Sequence, residues 1–244
     1  MSCFPERIDF LHLLKKMNNK LNSFDLKIKN LSYESGNISF YELLIINTLV
    51  KIKNPKRVLE IGTFNGRTTR NIASNIFSVH QYYDDLPCIH TVDLPLENKT
   101  QEKVNTHLQI EDGTVFNVDE RGFIGRERKL FEGQFEAQFI HQVWSDSALL
   151  DASCFPEYSP EDVSFDFVFI DGSHSYEYAK SDTLFALKHI KECGIILWHD
   201  YGCGGTDGWP GVVKWIHEYY YNMNEEKKKN IFHIEGTSIV IQLF

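Results

Sequence analysis

The chain has little of what would mark it as secreted, membrane-bound or nucleic-acid-binding. Its 244 residues hold 5 cysteines, an odd number scattered as Cys3, Cys88, Cys154, Cys193 and Cys203 with no CxxC pair. That pattern reads as reduced thiols, not as a disulfide frame or a zinc site. Positive charge is also scarce, with 25 Lys and Arg against 34 Asp and Glu and a net charge of −9. Phosphate backbones and anionic lipid surfaces need a basic face, so neither a nucleic acid nor a membrane is an expected partner. Long hydrophobic runs are missing. The longest, around Leu43 to Val50, is far too short to cross a bilayer. The first residues, MSCFPERIDF, lack the basic-then-apolar order of a signal peptide. Together these absences predict a soluble, cytoplasmic protein. Internal repeats and low-complexity tracts are absent as well.

What is present points to one α/β domain with a substantial core. The most informative stretch runs from Phe165 to Gly202 and reads as strand, helix, strand. FDFVFID is short and almost wholly apolar, as in a strand buried on both faces of a parallel sheet, and it ends in Asp171. Ser175 to Glu192 follows with apolar residues at helical spacing, and Gly194 is expected to stop that helix. IILWHD is a second buried strand, ending in Asp200. Parallel neighbours would set Asp171 and Asp200 side by side at the carboxyl edge of the sheet, where open α/β folds bind ligands.

Elsewhere, residues 1 to about 35 mix apolar and basic positions and predict one or two helices. They could cap the sheet, cover the site or contact a second copy in a homodimer. Ser39-Phe40-Tyr41-Glu42 fits a capping box that opens a helix ending at Asn54-Pro55. Residues 1–54 therefore read as a helical extension and 55–244 as the main domain. Arg57 to Gly62 is a first strand, Thr68 to Phe77 a helix, Cys88 to Asp93 a second strand and Phe139 to Trp144 a third. Between about 97 and 136 charges and glycines dominate, with one amphipathic helix expected near Arg126 to Phe139. An insertion of that kind usually serves as a lid or substrate loop. Past Asp200 comes the glycine-rich GCGGTDGWPG, then a helix from Val212 to Met223 and a closing strand pair, Ile231–Glu235 and Ser238–Phe244. Alternating strands and helices predict a doubly wound, mostly parallel seven-stranded sheet with one antiparallel strand near the C-terminal edge.

The turn after the first strand, Gly62-Thr63-Phe64-Asn65-Gly66, decides the ligand class. A dinucleotide cradle needs GxGxxG, with a second glycine so that backbone can approach a pyrophosphate. Phe64 stands in that place and would obstruct the approach. The looser GxxxG suits a ligand without phosphates.

VLEIGTFNG resembles the first motif of class I S-adenosylmethionine-dependent methyltransferases. FVFIDGSHSYEYAKSD with GIILWHD is similar to the macrocin-type sugar O-methyltransferases and, more distantly, to catechol O-methyltransferase. The likeness spans about residues 55 to 244 in motif order and implies a Rossmann-like methyltransferase fold. It implies that Glu60, Gly62, Thr63, Phe64 and Gly66 surround the methionine half of the cofactor. Asp93 would take the ribose hydroxyls, Asp146 and Ser147 the adenine, and Asp171 would lie under the reactive centre. A cap at a loop start is the plainer use of Asp93 and Asp146.

In metal-dependent members of that group, acids ending the fourth and fifth strands bind magnesium, and Asp171 and Asp200 match those places. Two facing carboxylates without a cation would repel until one took up a proton. His199 stands where macrocin-type enzymes carry Glu, which would bring a nitrogen ligand and favour manganese. His174 matches the general base of the macrocin-type group, and a near-neutral pKa suits removal of a hydroxyl proton. The remaining histidines show no ligand spacing. The expectation is a methyltransferase acting on a small-molecule hydroxyl, sugar or phenolic, with divalent-metal assistance. A metal-dependent oxidoreductase of the cephalosporin-hydroxylase type and a non-catalytic binding scaffold are the rivals.

Overall fold

A computed structural model describes residues 4–17, 25–29, 33–80, 88–95, 105–109, 115–119, 129–205 and 207–244. In chain order the strands are β1 (Glu6–Ile8), β2 (Arg57–Ile61), β3 (Cys88–Asp93), β4 (Asn105–Gln109), β5 (Val115–Asp119), β6 (Ile140–Trp144), β7 (Phe165–Ile170), β8 (Ile190–Trp198), β9 (Ile231–Ile234) and β10 (Val240–Leu243). The helices are α1 (Phe10–Lys16), α2 (Phe40–Lys53), α3 (Arg67–His80), α4 (Tyr176–His189), α5 (Pro210–Asn222) and the short α6 (Glu225–Lys228).

The main sheet has eight strands in the order β1-β9-β10-β8-β7-β2-β3-β6. Only β10 runs against its neighbours β8 and β9; every other pairing is parallel. The expected seven strands are all there. The eighth is β1, from the segment expected to be helical, which pairs with β9 at the sheet's edge. Three residues are too few to show an alternating pattern, which is why the strand leaves no mark in the sequence.

The central strands alternate between two apolar layers. Phe167, Phe169, Ile195 and Leu197 face one core with Leu43, Ile46 and Leu49 of α2 and Ile72 of α3. Val168, Ile170, Ile196 and Trp198 face the other, with Ala179, Phe185 and Ala186 of α4 and Trp215 and Ile216 of α5. Each large apolar side chain buried this way contributes about 1.5–3 kcal/mol. β7 and β8 are covered on both faces, which explains their unbroken apolar runs. The helix α2 begins as its sequence predicts: Glu42 N donates to Ser39 Oγ (3.2 Å) and Ser39 N donates to Glu42 Oε2 (2.9 Å).

Three local expectations need correction. The helix α4 ends at His189, and β8 starts at the next residue, so Gly194 sits inside a strand. A Cβ on Gly194 would lie 2.6 Å from the Ile190 side chain, which gives that glycine a packing reason instead of a capping one. Within 97–136, where charges and glycines dominate, β4 and β5 pair antiparallel as a separate two-stranded sheet. The helix expected near Arg126 to Phe139 is, among the described residues, a 3-10 turn over Phe135–Phe139. Most of that insertion, and parts of the N-terminal segment, lie outside the described residues. Among the described residues no helix is long and apolar enough to cross a membrane.

Candidate active site

β2, β3, β7 and β8 all end at one edge of the sheet, and their last residues frame a cavity of about 360 Å³. Its size falls within the range of small-molecule sites. The first turn can close onto the end of β7 only because residue 62 is glycine. Its φ is +100°, and a Cβ there would lie 1.8 Å from the Asp171 carbonyl oxygen. Asp200 also has positive φ (66°), unusual for a residue with a side chain. Its backbone is held in that bend by the Trp209 N–H, which donates to the Asp200 carbonyl (2.9 Å).

Of the residues singled out from sequence, Gly62, Phe64, Asp93, Ser147, Asp171, His174, His199 and Asp200 line this cavity. Glu60, Thr63, Gly66 and Asp146 do not. Glu60 is fully buried behind the wall, where Thr69 and Thr91 both donate to its Oε2. Thr63 pairs with Thr91 through their hydroxyls (2.7 Å) and accepts from Gln142 Nε2 (3.1 Å). Gly66 faces the Phe131 ring. Asp146 caps a short turn by accepting from Ala148 N (3.0 Å), and it accepts from the Tyr178 hydroxyl (3.0 Å).

The charged centre is built from both strand ends. His199 Nδ1 lies 3.0 Å from Asp171 Oδ1 and 3.1 Å from Asp200 Oδ1. Asp200 Oδ2 lies 3.0 Å from His174 Nε2. His199 falls on the same face as Ile195 and Leu197, which turns it toward α2, and its Nε2 lies 3.4 Å from Glu42 Oε1. Glu42 Oε1 also accepts from Ser238 N (2.7 Å).

Burial and these partners set the ionisation. Burial opposes a charged His199, but Asp171 and Asp200 outweigh it and hold the ring's pKa well above its ordinary value. Burial pushes Asp171 up, and His199 offsets this only in part. Burial also acts on Asp200, yet His199 and His174 hold its carboxyl far below the usual range. Glu42 resists its own burial in the same way and is lowered to about 2 by His199 and its backbone donors. One ligand atom from each of Asp171, His199 and Asp200 lies within 4.8 Å of the others. Two carboxylates and an imidazole that close fit a divalent cation.

Sequence reasoning missed several contributors. Glu42 was visible only as a capping residue; nothing in the pattern tied it to His199. Trp209 lies in the glycine-rich segment after Asp200, and its ring stacks on His174 at 4.2 Å between centroids and 7° between planes. Tyr178 lines the cavity, as do Ser35, Gly36 and Asn37. Lys129 comes from the insertion and is buried. Its Nζ reaches both Asp93 Oδ2 and the Phe64 carbonyl, with the Trp144 ring 5.0 Å away. The lysine therefore ties the acid ending β3 to the first turn.

The comparisons agree with this architecture. No curated protein matches the sequence. Among solved structures, an O-methyltransferase from Bacillus cereus in complex with SAH aligns over 96% of this chain and 89% of its own, with TM-score 0.54 and 14% identity. The O-methyltransferase TomG from Streptomyces achromogenes, involved in tomaymycin synthesis and solved with SAM, aligns over 98% and 91%, with TM-score 0.51 and 14% identity. The SAH-bound methyltransferase PaMTH1 of Podospora anserina aligns over 96% and 86%, with TM-score 0.52 and 12% identity. At such identities the likeness is one of fold. The family model described as a methyltransferase domain matches residues 59–201, more than half of the chain and the stretch that carries every strand end of the site. The chain belongs to the methyltransferase domain family.

Proposed function

We propose that this methyltransferase uses S-adenosylmethionine and methylates a hydroxyl of a small molecule, a sugar or a phenolic compound, with the help of a divalent metal. The observation that carries the reading is the convergence of Asp171, His199 and Asp200 beside His174 on the wall of one cavity. Their donor set suits magnesium, and the imidazole nitrogen extends it to manganese. When bound, the cofactor supplies a sulfonium methyl with its own leaving group, and the metal supplies charge that lowers the pKa of a neighbouring hydroxyl.

The chain's own residues align the partners and move the proton. Gly62 and Phe64 form the floor for the methionine half, and Asp93, steadied by Lys129, accepts from the ribose hydroxyls. His174 takes the acceptor's proton as the methyl moves. Asp200, on the Nε2 side of that ring, stabilises the imidazolium that results. Trp209 covers the face of His174 and keeps its plane fixed. A second reading has one observation in its favour. His199, held protonated by Asp171, Asp200 and Glu42, would itself balance the two acids, and no metal would be needed.

Calorimetric titration with S-adenosylhomocysteine, with and without magnesium or manganese, tests both on wild type and Asp171→Ala. Binding of S-adenosylhomocysteine, with a separate metal response that Asp171→Ala abolishes, supports the first reading. Binding with no metal response leaves the second. Absence of binding overturns the cofactor assignment.

A further inference from the structure

At the opposite end of β3 from the cavity, a second set of ligating side chains meets. Cys88 and His90 are two apart on β3 and so share a face, and His141 is the Cα partner of His90 on the parallel neighbour β6. Glu157 and Tyr158 lie over that face from the loop before β7. We propose that Cys88, His141 and Glu157 form a three-ligand site for a first-row transition metal, with zinc in first place and His90 beside it on Glu157.

The distances suit one ion. Tetrahedral zinc with sulfur at about 2.3 Å and nitrogen or oxygen at about 2.0–2.1 Å sets neighbouring ligand atoms about 3.3–3.6 Å apart. Cys88 Sγ lies almost equally far from both nitrogens of His90, 3.4 Å and 3.7 Å, so neither of them shares an ion with it. Glu157 Oε1 lies 3.7 Å from His141 Nδ1 and contacts His90 Nε2. Ligand atoms of Cys88, His141 and Glu157 all fall within 4.8 Å of one another. The two imidazoles lie nearly parallel, 5.1 Å between centroids.

One thiolate, one imidazole and one carboxylate are a borderline-soft set that zinc accepts and magnesium does not. Burial lowers the pKa of His90, so its ring stays neutral and pairs with Glu157 through Nε2. Burial raises the Cys88 thiol to about 11, so without a cation it stays protonated. Metal binding would release that proton to solvent and leave the thiolate as ligand. The Tyr158 hydroxyl, 3.1 Å from Cys88 Sγ, and Arg57, whose guanidinium stacks on the Tyr158 ring at 4.0 Å, both favour the thiolate. β6 is the edge strand of the sheet and the His141 side chain is 50% exposed, so an ion has a route in.

The site is separate from the candidate active site. Cys88 opens β3 and Asp93 closes it, about 16 Å apart at about 3.3 Å per residue. With three protein ligands and a fourth position for water, the ion would pin the loop that joins Ser147 to β7 onto the edge of the sheet.

The test is a cobalt(II) titration of the full chain after chelation and desalting, read by absorbance. The proposal expects stoichiometric binding with a thiolate-to-cobalt charge-transfer band in the near ultraviolet, displaced by zinc. The band should be lost in Cys88→Ser and unchanged in Asp171→Asn, and His141→Ala should weaken binding at least about tenfold. Melting curves in chelator should match for wild type and variants. If Cys88→Ser fails to fold, His141→Ala, which alters a half-exposed side chain, carries the test. A wild type without the band, or a band that survives either ligand substitution at full affinity, overturns the proposal.

Discussion

Glu60, on β2, and Asp200, just past β8, are both drawn out of water by the fold, yet the molecule treats the two acids in opposite ways. Glu60 has only hydroxyl partners, Thr69 and Thr91, and burial raises its pKa to about 7. The edge that carries Asp200 has two histidines within reach, and there Asp200 and Glu42 stay ionised while burial still pushes Asp171 up. A charged partner outweighs burial at the two acids that stay ionised. A cluster with fixed charge can bind a cation or hold a proton for chemistry, whereas Glu60 ties α3 and β3 to β2.

Four substitutions sharpen the contrast, and the largest effect belongs to His174. His174→Ala should cut kcat by about 10²–10⁴-fold once an acceptor is known, with S-adenosylhomocysteine affinity measured by calorimetry unchanged. Next comes Glu60→Gln. The folded wild type retains a proton at Glu60 between about pH 4.5 and 7 that the unfolded chain releases, so its stability falls as pH rises through that window. A neutral Gln removes the slope. Urea unfolding should show the variant gaining about 2–3 kcal/mol relative to wild type between pH 5 and 8. A constant offset across that range would mean that Glu60 is ionised in place.

Glu42→Gln keeps the shape but removes the charge behind His199. It should weaken metal affinity or activity about tenfold, the usual cost of losing a carboxylate behind a ligating histidine. The smallest effect is Ser39→Ala, which removes the cap beside Glu42 and should cost about 1 kcal/mol in thermal unfolding, equally at pH 5 and pH 8.

The comparison also explains what the sequence could reveal. Buried parallel strands write themselves as apolar runs, so β2, β3, β7 and β8 and the acids ending β3, β7 and β8 were readable, and with them most of the cavity wall. The capping box of α2 was readable because its signal is local. Contacts between remote segments were not. Glu42 meets His199 only because α2 packs on the face that the odd positions of β8 present. Lys129 meets Asp93 from within an insertion that has no periodicity of its own. Cys88, His90, His141 and Glu157 look unrelated until the pairing of β3 with β6 brings them to one face. β1 and Gly194 failed for a different reason: three residues are too short for a pattern, and a glycine inside a strand mimics a helix stop.

The most direct test of the central claim is manganese(II) binding followed by electron paramagnetic resonance on wild type, Asp171→Asn and Glu60→Gln. Saturable binding by wild type and Glu60→Gln, lost in Asp171→Asn, is the predicted result. Equal binding by wild type and Asp171→Asn, or none by wild type, would contradict the account that the histidine-flanked acids hold a cation.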